Sequence, residues 1–146
     1  MEAAYILDRE IDKFIEPNKS TPNYLARAEK ISIGFPANWV DIIKTHLDIT
    51  DERLANILGI SKKQISRFRG YEKSKQLPVL VSDRLYRLIN IFTKAIQLFN
   101  DNKEASEWLK FPQYGLEDKV PLELLGTEAG AREVELLLGR IEYGVY

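Results

Sequence analysis

The sequence predicts an all-α fold in two parts, and three observations carry that prediction. Apolar residues recur at helical spacing in segment after segment. No segment shows the apolar-polar alternation of a strand. The segment Asp51 to Phe68, DERLANILGISKKQISRF, has the spacing of two short helices joined by a tight turn. With 146 residues, 45% of them hydrophobic and 29% charged, the chain is long enough to bury a core as one domain or two small ones.

Residues 1–33 form an N-terminal helical region whose role the sequence leaves open. Within it Ile6, Leu7, Ile11, Phe14 and Ile15 predict a helix from Tyr5 to Ile15, stopped before Pro17. The polar stretch Glu16 to Pro22, EPNKSTP, reads as a linker, and a further helix is expected over Asn23 to Ile31. Residues 34–76 are the expected helix-turn-helix region. Gly34, Phe35 and Pro36 punctuate its start, and Trp39, Val40, Ile43 and Leu47 predict a supporting helix from Ala37 to Leu47 with Trp39 in the core.

The helix expected over Asp51 to Leu58 places Leu54 and Leu58 on one face, with Ala55 beside them where another helix must pass closely. Gly59 suits a helix exit at positive φ, and Ile60 supplies an apolar plug after it. Ser61 with Gln64 predicts a capping box opening the second helix, whose inner face is Ile65 and Phe68. At about 100° per residue, Lys62, Lys63, Ser66 and Arg69 fall opposite that face, with Arg67 at the margin and Gln64 turned toward the apolar side. Between Ser61 and Lys75 there are six Lys or Arg residues against Glu72 alone. A solvated charged face is the ordinary meaning of such a run. Its position on the second helix of this motif points instead to DNA, with cations for phosphates and short polar or guanidinium groups for base edges. Ser61, Lys62, Lys63, Ser66, Arg67 and Arg69 are therefore the expected DNA contacts.

Residues 77–146 form the second expected domain. After Leu77-Pro78, Ser82 is the expected cap of the longest helix, which runs to Phe99. Leu85, Leu88, Ile89, Phe92, Ala95, Ile96 and Phe99 lie within an arc of about 120°. Ile91 and Leu98 fall outside it and form a second strip, which is either an intramolecular contact or a dimer interface. A short helix is expected from Lys103 to Leu109. Beyond it lies an irregular segment divided by Pro112, Gly115 and Pro121, then one turn at Leu122 to Leu125. Thr127 is the expected cap of a last helix to Glu142, with Gly130, Val134, Leu137, Leu138 and Ile141 facing inward. Opposite them lie Arg132, Leu136, Arg140 and Tyr143, a cationic and apolar strip that a solvated helix does not need. The tail Tyr143-Gly144-Val145-Tyr146 is either packed or a probe for a partner.

Charge is distributed unevenly. The net charge is −1, yet between Asp101 and Glu142 ten acids face five bases, so the basic cluster near residues 62–75 is balanced by an acidic second half suited to a different partner. There is no cysteine and one histidine, His46, placed at a helix C-terminus where an imidazole is an ordinary structural choice. Disulfides, thiolate metal sites and thiol nucleophiles are excluded together, and neither a metal nor a cofactor is expected. No nucleophile paired with a base and no phosphate-cradling loop is present, so no catalytic residue is expected and an enzyme is the least favoured class. No apolar run is long enough for a bilayer span, and the N-terminus MEAAYILDREIDKF lacks the pattern of a secretory signal, which makes a cytoplasmic location the expectation.

Leu77-Pro78, Ser82-Asp83-Arg84, Trp108-Leu109, Pro121-Leu122, Leu125, Thr127, Gly130, Val134, Leu138, Ile141 and Gly144, in that order, resemble the C-terminal toxin-binding domain of the Xre/MbcA/ParS antitoxin family. The resemblance covers about half the chain, and in that family an Xre-type helix-turn-helix precedes the domain, as Asp51 to Phe68 does here. It implies an antitoxin of a type II toxin-antitoxin system whose partner is usually a toxin of the NAD-depleting RES class, or a related ADP-ribosyltransferase-like toxin. Such an antitoxin covers the toxin's active site and represses its own operon. Arg132, Leu136, Arg140, Tyr143, Gly144, Val145 and Tyr146 are then the expected toxin contacts. A homodimer on operator DNA and a hetero-oligomer with the toxin are the expected assemblies, since one short recognition helix reads few base pairs. The competing readings are a stand-alone helix-turn-helix transcriptional regulator and a toxin-neutralising interaction module without DNA binding.

Overall fold

The computed structural model describes residues 9–16, 21–72 and 75–144. The predicted positions Tyr5, Ile6 and Leu7, the linker residues Pro17, Asn18, Lys19 and Ser20, and Lys73, Val145 and Tyr146 lie outside the described residues. Among those described there are nine α-helices, a single 3₁₀ turn and two isolated β-bridges. The helices are α1 (Arg9–Ile15), α2 (Tyr24–Ile33), α3 (Trp39–Leu47), α4 (Asp51–Leu58), α5 (Lys62–Arg69), α6 (Val79–Phe99), α7 (Asn102–Lys110), α8 (Pro121–Leu124) and α9 (Glu128–Glu142). The all-α prediction is correct, α4 has the expected extent, and α5 opens directly after the expected cap Ser61. The backbone groups two compact units, one ending at Tyr86 and the other comprising Arg87 onward.

In the first unit, α1 contributes Ile11 and Ile15 to the core, and Phe14 sits edge-on to Phe35 at 5.2 Å. Phe35 stacks on Trp39 at 4.6 Å, and the indole N–H of Trp39 donates to Glu10 at 3.1 Å. An aromatic cluster thus fixes α1 to α3, with Trp39 fully buried as expected. Asn23 caps α2 by accepting from the Ala26 N–H. The one buried side chain of α2 is Arg27, which donates to the Tyr86 hydroxyl and to the Ile15 carbonyl. Its burial is tolerated because its donors are matched by oxygens of α1 and α6.

The chain on either side of α3 to α5 is clasped together. Leu77 N–H donates to Phe35 O at 2.8 Å and Ala37 N–H to Lys75 O at 2.9 Å, flanking a bridge between Pro36 and Gln76. Here Ser82 corrects its expected role. α6 begins at Val79, directly after Pro78, so Ser82 lies inside the helix, and its N–H already donates to the Pro78 carbonyl. Its fully buried hydroxyl instead accepts from the Phe35 N–H at 2.9 Å, satisfying a backbone donor that has no helical partner.

In the second unit, the remaining turns of α6 bury Leu88, Ile89, Phe92, Ala95 and Ile96. Asp101 caps α7 by accepting from the Glu104 N–H, and Trp108 of α7 packs on Phe99 at 5.8 Å. A 3₁₀ turn at Tyr114–Leu116 and α8, opened by Pro121 at its first position, lead into α9. Thr127 caps α9 as expected, its hydroxyl accepting from the Gly130 N–H at 3.0 Å. A Cβ on Gly130 would stand 2.0 Å from the Leu124 carbonyl oxygen, so the end of α8 presses directly on the α9 backbone. Arg87 ties α6 to this corner by donating to Leu125 O, and Lys94 of α6 pairs with Glu135 of α9.

The strip expected from Ile91 and Leu98 is mostly covered within the chain. Ile91 is 2% exposed and Leu98 half-buried, so the two present little apolar area to a second copy.

Candidate nucleic-acid and partner interfaces

The helix-turn-helix is assembled from its apolar positions outward. Leu54, Ala55 and Leu58 of α4 and Ile65 and Phe68 of α5 are all buried, while Ile60 is half-buried after the turn. Gly59 has φ of 69° and lets the chain leave α4, with its N–H returning to the helix. A Cβ at Gly59 would stand 2.7 Å from the Arg84 guanidinium, which donates to the Leu58 carbonyl at 3.2 Å. Arg84 therefore satisfies a terminal carbonyl of α4 from a helix more than two dozen residues away, a role that no local pattern announces.

The capping box at the start of α5 is complete. Gln64 N–H donates to Ser61 Oγ at 3.2 Å and Ser61 N–H to Gln64 Oε1 at 3.0 Å. This folds the half-buried Gln64 side chain back onto the helix start although it lies on a basic helix. Ser61, Lys62, Lys63, Ser66, Arg67 and Arg69 are all exposed. Lys62, Lys63 and Arg67 form no ion pair with another described residue, whereas Arg69 is heavily engaged. Its Nε lies 3.0 Å from Asp41 of α3 and its Nη2 2.8 Å from Asp51 of α4, with Lys44 a further 3.7 Å from Asp51. Hydrogen bonds from Arg69 hold the Asp51 carboxyl below the usual carboxylate range. The same carboxylates raise Arg69 above its ordinary value.

A second exposed surface belongs to α9. Leu136 is 49% and Tyr143 79% exposed, and Arg132, Gly144 and the half-buried Arg140 complete the described part of the expected strip. Arg132 is held on its own helix by Glu128 at 3.5 Å and Glu135 at 3.6 Å. Gly139 lies between these side chains, and a Cβ there would meet nothing within 4 Å. Sequence reasoning missed Phe111 and Tyr114, which are 61% and 93% exposed in the same unit. Their signal was two aromatics in a Pro- and Gly-punctuated segment, and the 3₁₀ turn carrying Tyr114 packs on α9 through Gly115, whose Cβ would meet Leu137 at 2.6 Å.

Among the described residues no group of three or more His, Cys, Asp or Glu side chains is placed to hold a metal. No described helix is long and apolar enough to cross a membrane.

A capped, cation-faced helix-turn-helix and a separate small helical unit define a helix-turn-helix protein with a second module. Two family models match it in that order: the antitoxin Xre-like helix-turn-helix domain over residues 26–90, and the antitoxin Xre/MbcA/ParS C-terminal toxin-binding domain over residues 94–144. Antitoxin Xre of Photorhabdus laumondii is 34% identical over 130 residues, covering 88% of this chain and 84% of that protein. Antitoxin Xre of Yersinia enterocolitica is 31% identical over 119 residues, covering 81% and 79%. The chain belongs to the Xre antitoxin family, and is the antitoxin of a toxin-antitoxin system with a helix-turn-helix domain. Its fold resembles a chain in the crystal structure of the M. tuberculosis MbcT-MbcA toxin-antitoxin complex, with a TM-score of 0.55 and 22% identity over 75% of this chain and 96% of that one.

Proposed function

We propose that this antitoxin neutralises a RES-type, NAD-depleting toxin by covering its active site with the C-terminal unit, and represses its own operon by binding operator DNA through α5. The observation that carries the reading is the pairing of two uncommitted surfaces of different chemistry. Lys62, Lys63, Ser66 and Arg67 stand free on a recognition-type helix, and Leu136, Arg140 and Tyr143 stand on α9 with the nearby aromatics Phe111 and Tyr114. The first set suits phosphates and base edges in a major groove. The second has the aromatic and arginine content of a protein-binding hot spot. Because one α5 reads few base pairs, the DNA-bound form is a homodimer, and with toxin it becomes a hetero-oligomer, all in the cytoplasm.

The test is co-expression with the product of the adjacent reading frame. Co-purification, restored growth and restored cellular NAD are expected for the wild type, and a gel shift of the upstream region should be lost in Lys62→Ala/Arg67→Ala. A neighbour that leaves NAD untouched removes the RES assignment. The net charge of −1 favours a second reading, neutralisation without DNA binding, which an absent gel shift at low salt would establish.

A further inference from the structure

Arg69 stands on the same exposed helix as Lys62, Lys63 and Arg67, yet it differs from them in that its guanidinium is tied to two carboxylates. It lies 3.0 Å from Asp41 and 2.8 Å from Asp51, donating through Nε and both terminal nitrogens. These carboxylates belong to the first turns of α3 and α4, and in a helix-turn-helix the first helix of the pair crosses the DNA backbone. Two partly exposed carboxylates there, left unpaired, would repel phosphates. We propose that Arg69 is a positioning residue: the internal counter-ion that masks Asp41 and Asp51, so that the α4–α5 face presents its free cations to a polyanion, with no phosphate contact of its own. This rests on the DNA-binding reading above.

The charge count makes the idea specific. Asp41, Asp51, Lys44 and Arg69 sum to zero, and removing Arg69 leaves −1 beside the recognition helix. Removing Arg69 together with Asp41 returns the sum to zero and leaves Lys44 paired to Asp51 at 3.7 Å. An arginine that contacted phosphate could not be replaced by deleting an acid, and neither could one needed only as a mechanical brace.

The experiment compares operator affinity across salt concentrations for the wild type, R69M and R69M/D41N. R69M should bind roughly tenfold more weakly at physiological salt. R69M/D41N should return to within about threefold of the wild type, with the same slope of log K against log salt. A double variant that stays weak with its slope reduced by about 0.9 would show a direct phosphate contact and overturn the proposal. One that stays weak at full slope would show a mechanical brace, and overturns it equally. If the wild type shifts no operator fragment, the DNA-binding reading fails by itself. The salt needed to elute the three proteins from immobilised heparin, a polyanion without sequence, then decides the counter-ion role: early elution of R69M alone sustains it, and early elution of both variants defeats it.

Discussion

α5 and α9 present the two proposed functional surfaces, and they are held in place by different forces. α5 has eight residues, of which Ile65 and Phe68 are buried, so apolar burial alone anchors it weakly. Its two ends are fixed by directional bonds: the Ser61 and Gln64 capping box at one, and the Arg69 bridge to Asp41 and Asp51 at the other. α9 has fifteen residues and buries Ala131, Val134, Leu137 and Leu138 along its length. Its outward strip is consequently free of structural duty, apart from Arg132, which its own helix holds. The short α5 thus depends on polar anchorage close to its proposed reading face, while the long α9 separates its anchorage from its proposed contact strip.

The sharpest way to break this contrast lies at the base of α9. Gly130→Ala places a Cβ against the Leu124 carbonyl, and a loss of roughly 3 kcal/mol in urea unfolding of the C-terminal unit is expected, with toxin neutralisation failing in parallel. Next comes the strip itself. Leu136→Asp with Tyr143→Ala should weaken toxin binding by about 2 kcal/mol, roughly thirtyfold by calorimetry. It should leave thermal unfolding nearly unchanged, because neither side chain is buried. An equal drop in stability would mean that α9 does not separate the two duties. Ser61→Ala removes one arm of the capping box and should cost about 1 kcal/mol of stability, with weaker operator binding following from a frayed start of α5.

The smallest expected effect is on pH dependence. Asp51 has its pKa lowered in the folded state, so its contribution is present above the unfolded value of about 3.9 and is lost as pH falls through the lower folded value. Acid titration of stability below about pH 4 should therefore be shallower in Asp51→Asn than in the wild type. Indistinguishable acid limbs would show that the Arg69 bridge adds nothing to stability.

Much of the fold was legible because helix limits are written locally. The extent of α4, the start of α5, the positive φ at Gly59, the capping box and the Thr127 cap all follow from residues within one turn of each other. Ser82 was misread for the same reason. A serine near a helix start resembles a cap, and only the approach of Phe35, 47 residues earlier, shows where its hydroxyl is used. The candidate surfaces divide likewise: helical periodicity marked the exposed faces of α5 and α9, while the exposure of Phe111 and Tyr114 depended on how an irregular segment lies on α9.

By itself the sequence determined the helical class, the helix-turn-helix and which side of α5 is cationic, since periodicity and capping act over three or four residues. Only the tertiary structure decided which of those cations are free. Lys62, Lys63 and Arg67 face solvent without a counter-ion among the described residues, whereas Asp41 and Asp51 converge on Arg69 from two other helices. Charge pairing depends on distance through space, and the chain's local pattern carries no record of it.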